Sequence, residues 1–187
     1  MRVIGGTFKG RRLRSPRWKG LRPTSDRLRE TLFNVLGDGV RNARVLDGCA
    51  GTGALGIEAL SRGARQVVFV EVDRLATALI EENVVTCGVS EWVVIVRGAL
   101  PGVLGHSSTS GRFDLVLLDP PYDHPRIGAI LSAAGDKLTV DGRLVLERTR
   151  RSTTYVVDGL EHVRSVTSGD SVLDIYELAA QRSKLLR

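Results

Sequence analysis

The tetrapeptide Asp119-Pro120-Pro121-Tyr122 has residue types suited to chemistry on an amine. An exocyclic base amine is a poor nucleophile because its lone pair is delocalised into the ring until acceptors bind its N–H groups. The Asp119 carboxylate and the Pro120 carbonyl are such acceptors, and the two prolines stiffen the turn without adding a competing N–H donor. Tyr122 offers a flat ring on which an extruded base can stack. The tetrapeptide therefore predicts a site for methylating a base amine, with an ordinary Asp-Pro turn as the alternative.

A second candidate site is the glycine-rich segment Asp47–Gly56, which follows an apolar run. Glycines let the backbone turn tightly and approach a ligand, while the N-terminus of a following helix offers free N–H groups. Glu71 lies 20 residues after Gly51, where a carboxylate can accept hydrogen bonds from ribose hydroxyls. The segment predicts binding of a cofactor that contains a nucleoside.

The carboxylate of Asp47, the first residue of this segment, distinguishes between two possible cofactors. Residues Gly51–Gly56 match the GxGxxG pattern of dinucleotide-binding proteins. Asp47, however, would place a carboxylate close to the pyrophosphate of NAD, whereas S-adenosylmethionine brings an ammonium and a sulfonium group. The chain also holds little more than one mononucleotide-binding half, and no catalytic His, Lys or Tyr motif follows the turn. S-adenosylmethionine is therefore favoured, and a nicotinamide oxidoreductase ranks last.

Cysteines and histidines indicate no further chemistry. The two cysteines, Cys49 and Cys87, lack CxxC or Cys/His spacing, so neither a disulfide framework nor a zinc site is predicted. Methylation at cytosine C5 would need a cysteine nucleophile, but both residues are better explained as buried structural thiols. The histidines at 106, 124 and 162 have no spacing for metal ligation, and no metal is expected.

The elements that position these residues alternate along the chain from Arg44 onward. Near-continuous apolar runs predict buried parallel strands, and the segments between them predict helices. The strands are predicted at Val45–Asp47, Val67–Val70, Trp92–Val96, Leu115–Leu118 and Leu144–Leu146, and the helices at Ala54–Ser61, Arg74–Cys87 and Pro125–Lys137. Glu161–Thr167 and Ser171–Leu178 flank a tight turn and predict an antiparallel hairpin at the sheet edge. This is an open, mainly parallel α/β sheet, and the carboxyl ends of its strands bring both candidate sites to one crevice. Ser107–Gly111 is predicted as a flexible loop.

The N-terminal quarter carries all of the positive excess. Residues 1–44 hold 12 basic and 3 acidic side chains, against 15 and 18 in residues 45–187. Met1–Arg22 predicts an irregular arm with room for one small hairpin, and Thr24, Ser25 and Asp26 offer N-caps for a helix that stops at Gly37. Arg27 and Arg29 lie off the apolar stripe of that helix and are expected to face solvent or a ligand. Such a basic segment is typical of binding to a polyanion, with an anionic membrane surface or a solvated face as alternatives.

The motifs together resemble the class I S-adenosylmethionine-dependent amino-methyltransferases that carry an (N/D)PP(Y/F) tetrapeptide. Further segments are similar to the bacterial family that methylates guanine N2 in small-subunit (16S) ribosomal RNA; they are Arg2–Gly6, Lys9–Arg11, Arg22–Thr24, Arg29–Asn34 and Ser168–Ser171. The resemblance implies a Rossmann-like fold with a seven-stranded sheet in the order 3-2-1-4-5-7-6, strand 7 being antiparallel. It also implies a basic arm and helix over residues 1–40 that contacts RNA, and a methyltransferase domain over residues 41–187.

Site residues follow from the same resemblance. Asp47, Gly51 and Gly53 would hold the methionyl end of the cofactor, Glu71 the ribose, and Asp119 to Tyr122 the target base. The remaining cofactor contacts are expected from Gly48, Ala50, Val72, Gly98, Ala99 and Asp119. Many relatives have an acidic or amide residue after the third strand, whereas this chain has Arg97-Gly98-Ala99-Leu100, so adenine recognition would depend on backbone groups and stacking. RNA contacts are expected from Arg11, Arg12, Arg22, Thr24, Arg27 and Arg29.

The sequence therefore predicts a monomeric, cytoplasmic methyltransferase acting on guanine N2 of 16S ribosomal RNA, free or in an assembling subunit. No apolar stretch is long enough for a membrane span. Two alternatives stay open. A DNA methyltransferase acting on adenine N6 or cytosine N4 would use the same tetrapeptide but would need a sequence-reading domain. A non-catalytic assembly factor could retain the fold, although the intact Gly51, Glu71 and Asp119 argue against it.

Overall fold

A seven-stranded sheet flanked by helices fills the chain from Arg44 onward in the computed structural model, which describes residues 1–16, 18, 24–122 and 124–179. The strands are β1 (Arg44–Gly48), β2 (Gln66–Glu71), β3 (Val93–Arg97), β4 (Phe113–Leu118), β5 (Leu138–Thr149), β6 (Leu160–Ser168) and β7 (Ser171–Leu178). The α-helices are α1 (Asp26–Leu36), α2 (Ala54–Ser61), α3 (Arg74–Cys87) and α4 (Ile127–Gly135). Short 3₁₀ turns span Gly37–Val40, Ser90–Trp92, Gly102–Gly105 and Ser107–Thr109.

The strand order is β3-β2-β1-β4-β5-β7-β6, as the family resemblance implied. Strands β1 to β5 pair in parallel, whereas β7 is antiparallel to both β5 and β6. The predicted α/β fold class is therefore confirmed. A connection of only Gly169 and Asp170 joins β6 to β7, which requires the antiparallel hairpin.

Three local predictions were wrong in extent or type. Strand β5 runs over 12 residues rather than three, because Leu138 pairs with β4 before a register shift, Arg143–Leu146 pair with β4 after it, and Leu144–Thr149 pair with β7. The fourth helix begins at Ile127 and ends at Gly135, inside the predicted bounds. The expected loop Ser107–Gly111 begins with a 3₁₀ turn over Ser107–Thr109, and the Thr109 hydroxyl donates to the Val103 carbonyl oxygen at 2.6 Å.

Alternating strand positions bury opposite faces of the sheet. Val45 and Leu115 belong to the core that contains α1, α2 and α3, while Leu46 and Val116 belong to the core that contains α4. Successive strand side chains point to opposite faces, so a strand covered on both faces becomes a continuous apolar run. This pattern made the strands recognisable from sequence.

The N-terminal arm, residues 1–14, packs against the body. An isolated antiparallel bridge between Arg2 and Arg12 forms the small hairpin. The backbone N–H groups of Ile4 and Gly5 donate to the Glu58 carboxylate on α2, each at 2.8 Å. Val3 and Leu13 contribute to the core that α1–α3 share with the sheet. The arm and the body therefore share one core. The predicted division into an RNA-contacting segment, residues 1–40, and a methyltransferase domain, residues 41–187, stays a prediction about function.

The expectation that Arg29 faces solvent is wrong. Its side chain is 0% exposed and forms ion pairs with Asp26 at 2.7 Å and with Glu58 at 3.8 Å. It also donates to the Arg2 carbonyl oxygen at 2.7 Å. The buried Glu58 needs a cation nearby, because an unpaired buried carboxylate is strongly unfavourable. Arg29 therefore joins α1 and α2 to the arm and is no longer a candidate for phosphate contact.

Within the described residues, none of the helices is both long and apolar enough to span a membrane.

Candidate active site

A cavity of about 590 Å³ opens at the carboxyl ends of the parallel strands. Its wall includes the turn after β1, the end of β2, the segment after β3, the tetrapeptide after β4 and the last part of β5. Its size falls within the range typical of small-molecule sites, about 300–1,000 Å³. The lining residues that the sequence predicted are Thr24, Ala50, Gly51, Glu71, Val72, Gly98, Ala99, Asp119, Pro120, Pro121 and Tyr122. The two motifs therefore meet in one cavity.

Asp119 lies at the first position beyond β4 and is partly buried. The Thr24 hydroxyl, just before α1, donates to Asp119 Oδ2 at 2.9 Å. Burial raises the pKa of the Asp119 carboxyl, and the hydrogen bond from Thr24 opposes that rise. Thr24 was predicted to contact nucleic acid, but in the structure its hydroxyl orients Asp119. Tyr122 is 41% exposed, which leaves its ring available to the cavity.

Glu147 is a site residue that sequence reasoning missed. It lies near the end of β5, beside Asp119, because β4 and β5 are parallel neighbours with Leu118 opposite Leu146. The Ser171 hydroxyl donates to Glu147 Oε1 at 2.8 Å. Burial raises the pKa of Glu147 to about 7, and the charge of the neighbouring Asp119 adds to this rise. An available signal was that two adjacent apolar strands each end in an acidic residue, which parallel pairing brings together.

Glu71 is hydrogen-bonded to the backbone of the glycine-rich turn. Its Oε2 accepts from the Gly51 backbone N–H at 2.7 Å, and its Oε1 accepts from the N–H groups of Val72 and Asp73 at 2.8 and 2.9 Å. A carboxylate has about four lone-pair positions, so three bonds leave room for one more donor. Gly51 adopts a φ of 55°, a left-handed conformation that favours glycine. The turn is thus pre-formed around the residue expected to bind ribose.

Asp47, Gly48 and Gly53 do not line the cavity but lie behind its wall. Asp47 is 1% exposed, and its Oδ2 accepts from the Gly56 backbone N–H at 2.8 Å, which fixes the first turn of α2. Its Oδ1 is buried and has no hydrogen-bond partner among the described residues. Burial raises the pKa of Asp47 well above its ordinary value. A bound cation would be the natural partner for this unpaired oxygen.

Two lining residues, Cys49 and His124, were not predicted from the sequence to belong to the site. Burial and the neighbouring carboxylates, Glu71 foremost, raise the pKa of the Cys49 thiol to about 12. A thiol with that pKa is protonated at neutral pH and is a poor nucleophile. Lining the cavity therefore does not make Cys49 a candidate for covalent attack. In the part of the chain that the structure describes, no cluster of three or more His, Cys, Asp or Glu side chains could hold a metal ion.

The residues predicted to contact RNA differ in exposure and in bonding. Arg12 and Arg27 are exposed. Arg11 is exposed as well, but its guanidinium donates to the Cys87 carbonyl oxygen at 2.6 Å and lies over the Phe8 ring. Arg22 lies outside the described residues. Exposed arginines on the arm and on α1 are thus available to contact RNA.

The sheet order, the glycine-rich turn after β1 and the acidic tetrapeptide after β4 define a Rossmann-like class I methyltransferase fold. The solved structure of the putative methyltransferase yhhF from Escherichia coli has a TM-score of 0.84 and 31% identity, and it covers 97% of this chain and 99% of that one. The putative methylase HI0767 from Haemophilus influenzae has a TM-score of 0.76 and 28% identity, with 95% and 97% covered.

The family model described as Conserved hypothetical protein 95 matches residues 1–177, and the chain belongs to this family. The putative rRNA methyltransferase YlbH of Bacillus subtilis is 34% identical over 182 residues, or 95% of this chain and 98% of that protein. Ribosomal RNA small subunit methyltransferase D of Haemophilus influenzae is 41% identical over 124 residues, 65% of this chain and 64% of that protein. The chain thus spans just under two thirds of the latter relative. The family membership predicted from the motifs is confirmed.

Proposed function

We propose that this protein transfers a methyl group from S-adenosylmethionine to the exocyclic N2 amine of a guanine in 16S ribosomal RNA. The observation that carries this proposal is the meeting of two features in one cavity: the turn around Glu71 and the acceptor group at Asp119. The relatives named as ribosomal RNA methyltransferases support the same substrate class. The protein is also proposed to act as a monomer in the cytoplasm, on ribosomal RNA.

The residues around the glycine-rich turn fit S-adenosylmethionine. The Asp47 carboxylate, whose Oδ1 is unpaired, would attract the ammonium group of the methionyl end through its charge from behind the wall, and the remaining lone pair of Glu71 would accept from a ribose hydroxyl. Val72 and Leu100 offer apolar surface for the adenine, and the backbone at Gly98 and Ala99 lies in the same wall. An ammonium beside Asp47 would also favour its ionised form, which offsets the effect of burial. NAD would bring phosphates to this carboxylate instead.

The cofactor supplies an electrophilic methyl group whose bond to sulfur breaks as the bond to nitrogen forms. The chain's part is to hold the target amine and raise its nucleophilicity. Asp119 and the Pro120 carbonyl accept hydrogen bonds from the two N2–H groups, and Thr24 fixes Asp119 in the orientation for this. The prolines leave no N–H donor to compete for these acceptors. Asp119 is also placed to receive the proton that N2 loses after transfer.

The N-terminal segment is assigned the recruitment of RNA. The catalytic motifs lie in residues 45–187, which carry more acidic than basic side chains, so this part has no net attraction for a polyanion. Arg12 and Arg27 are exposed on this segment, Arg11 is exposed but donates to the Cys87 carbonyl oxygen, and Thr24 of the same segment lines the cavity. Phosphate contacts from this segment would position the RNA, while the cavity selects the base.

Mapping methylated nucleotides in 16S ribosomal RNA from cells with and without the gene tests this function. We expect one N2-methylguanosine to be lost without the gene and restored by the wild-type gene. A matched strain that expresses Asp119→Asn should not restore it. A mark that disappears only from DNA, as N6-methyladenine or N4-methylcytosine, would contradict the assigned substrate. Unchanged methylation of both nucleic acids would contradict the activity itself.

A further inference from the structure

Asp119 and Glu147 form a pair of neighbouring carboxyl groups in the wall of the cavity. They follow each other across the parallel strands β4 and β5, where Leu118 lies opposite Leu146, and Glu147 is only 7% exposed. The Ser171 hydroxyl donates to Glu147 Oε1 at 2.8 Å, and the Tyr122 hydroxyl lies 3.5 Å from the Ser171 hydroxyl. Thr24 holds Asp119 on its other side. Donors on both flanks therefore fix the two carboxyl groups side by side.

This arrangement is unfavourable for the protein without a ligand. Two carboxyl groups in contact repel each other when both are ionised, and burial increases that cost. None of the ion pairs among the described residues includes Asp119 or Glu147. Unpaired acidic groups of this kind are characteristic of functional sites, where the ligand supplies the missing donors. The pair therefore points to a ligand with two adjacent N–H donors.

Among the bases with an exocyclic amine, guanine has that pattern. Its N2 amine and its N1–H are neighbouring donors on the same edge of the ring. Adenine and cytosine carry an amine beside a ring nitrogen with a lone pair, N1 and N3 respectively. A carboxylate next to the amine position would accept a hydrogen bond from guanine but would repel the lone pair of the other two bases.

We propose that Glu147 selects guanine by accepting a hydrogen bond from its N1–H, while Asp119 and Pro120 accept those from N2. This assignment rests on the proposed function and adds a specificity residue to it. Glu147 contacts the base directly in this scheme but not the amine that is methylated. A buried acceptor left without its donor is costly, so the wrong base is rejected strongly.

The protonation of the pair agrees with this role. Burial and the adjacent Asp119 raise the pKa of Glu147 to about 7, and Asp119 and Tyr122 are the titratable groups that contact it. At and below neutral pH, the pair in the free protein shares a proton. Guanine replaces that proton with two N–H donors, so binding releases it. Protonated Glu147 would offer N1–H only an uncharged oxygen, which is a weaker acceptor than the carboxylate.

The test compares two RNAs that differ at the mapped target nucleotide, one with guanosine and one with 2-aminopurine. 2-Aminopurine keeps the N2 amine but has a lone pair at N1 instead of N1–H. We expect the wild-type protein to prefer guanosine by at least about 100-fold in kcat/KM. In Glu147→Gln the preference should fall at least tenfold, because the glutamine amide can donate to the N1 lone pair.

The pH profile gives a second readout that a purely structural role would not move. Methylation of guanosine by the wild-type protein should decline below about pH 7, and this decline should disappear in Glu147→Gln. The matched control is Glu91→Gln, an exposed glutamate that should leave preference and profile unchanged. Binding of S-adenosylmethionine by each variant checks that the fold is intact.

The possible outcomes separate this inference from the proposed function. Methylation of guanosine with the same preference and the same pH profile in Glu147→Gln would overturn the role of Glu147 and leave guanine N2 methylation standing. Absence of methyl transfer by the wild-type protein to either RNA would overturn both. If Glu147→Gln shows both a reduced preference for guanosine over 2-aminopurine and no decline of methylation below pH 7, the role of Glu147 is confirmed.

Discussion

At the scale of single residues, the site depends on carboxyl groups that are largely removed from water. Asp47, Asp119 and Glu147 each have a raised pKa, and burial is the first cause in every case. Each also has a specific donor that fixes its orientation, namely the Gly56 N–H, the Thr24 hydroxyl and the Ser171 hydroxyl. Such groups reduce the stability of the protein without ligand but are ready to accept hydrogen bonds from a substrate or cofactor.

One prediction concerns the stability cost of Glu147. Its pKa is raised from 4.5 to about 7, so the folded state binds more protons than the unfolded state between these values. The contribution of Glu147 to stability is therefore complete below pH 4.5 and is lost as the pH rises through 7. At pH 8, Glu147→Gln should unfold with a free energy higher by about 1–3 kcal/mol, since one pKa unit corresponds to about 1.4 kcal/mol. Urea unfolding at pH 8 and pH 4.5 measures this, and a gain of equal size at both values would contradict it.

A second prediction concerns Asp47. Asp47→Asn keeps an oxygen that can accept from the Gly56 N–H but removes the negative charge opposite the cofactor's ammonium group. The dissociation constant for S-adenosylmethionine should rise at least about tenfold, because hydrogen bonds to charged groups contribute about 1.5–3 kcal/mol. Calorimetric titration measures the affinity, with Asp38→Asn, an exposed aspartate paired to Arg41, as the matched control. Equal affinities in both variants would show that Asp47 has no part in cofactor binding.

At the scale of elements, α2 connects the arm to the glycine-rich turn. Its first turn is fixed by Asp47, and its Glu58 and Ser61 bind the arm. The Thr7 N–H donates to the Ser61 carbonyl oxygen at 2.8 Å, so the backbones of the arm and the helix are in direct contact. Gly6 adopts a φ of 74° at this contact, and a β-carbon there would overlap the Ser61 carbonyl group.

The close approach at Gly6 makes a third prediction possible with an internal control. Gly10 has a similar φ of 83°, but no atom lies near its missing β-carbon. Gly10→Ala should therefore lower the free energy of unfolding only by the backbone strain of a left-handed alanine, about 1–2 kcal/mol. Gly6→Ala should lower it by more, because the new β-carbon must also displace the arm from α2. Thermal unfolding and proteolysis of the arm compare the two variants. Equal losses of stability would show that the contact with Ser61 does not stabilise the protein.

Elements with one simple pattern were predictable from the sequence. The apolar runs of β1, β2 and β4 and the caps of α3 at Asp73 and Gly88 agree with local rules and needed no tertiary information. Arg29 could not be predicted, because its burial depends on Glu58, which lies 29 residues away and has no local signature. Glu147 was missed for a similar reason. Its role arises only when β5 pairs with β4 and places it beside Asp119.

At the scale of the whole molecule, charge and chemistry are divided between two parts of the chain. The basic excess lies in residues 1–44, while both motifs lie in the acidic remainder. Among the described arginines predicted to contact RNA, Arg29 is buried and Arg11 is bonded to the Cys87 carbonyl oxygen, whereas Arg12 and Arg27 are exposed. Arg41 belongs to the same segment but lies near the amino end of β1, away from the cavity.

This division makes a fourth prediction about the salt dependence of RNA binding. The double variant Arg12→Ala/Arg27→Ala should bind 16S ribosomal RNA more weakly, and the slope of log K against log salt should fall by about one to two, or about 0.7–0.9 for each lost phosphate contact. Arg41→Ala removes one exposed charge from the same segment and should leave the slope unchanged. Equal slopes for the wild-type protein and the double variant would show that this segment does not contact the RNA backbone.

Methyl transfer by the purified protein to small ribosomal subunits that lack the modification tests the proposed reaction. With S-adenosylmethionine labelled in its methyl group, digestion of the RNA to nucleosides should place the label in N2-methylguanosine. Asp119→Asn should bind the cofactor as tightly as the wild-type protein but transfer methyl groups at least about 100-fold more slowly, since the amine is no longer polarised. Label in another nucleoside, or an undiminished rate in Asp119→Asn, would contradict the account.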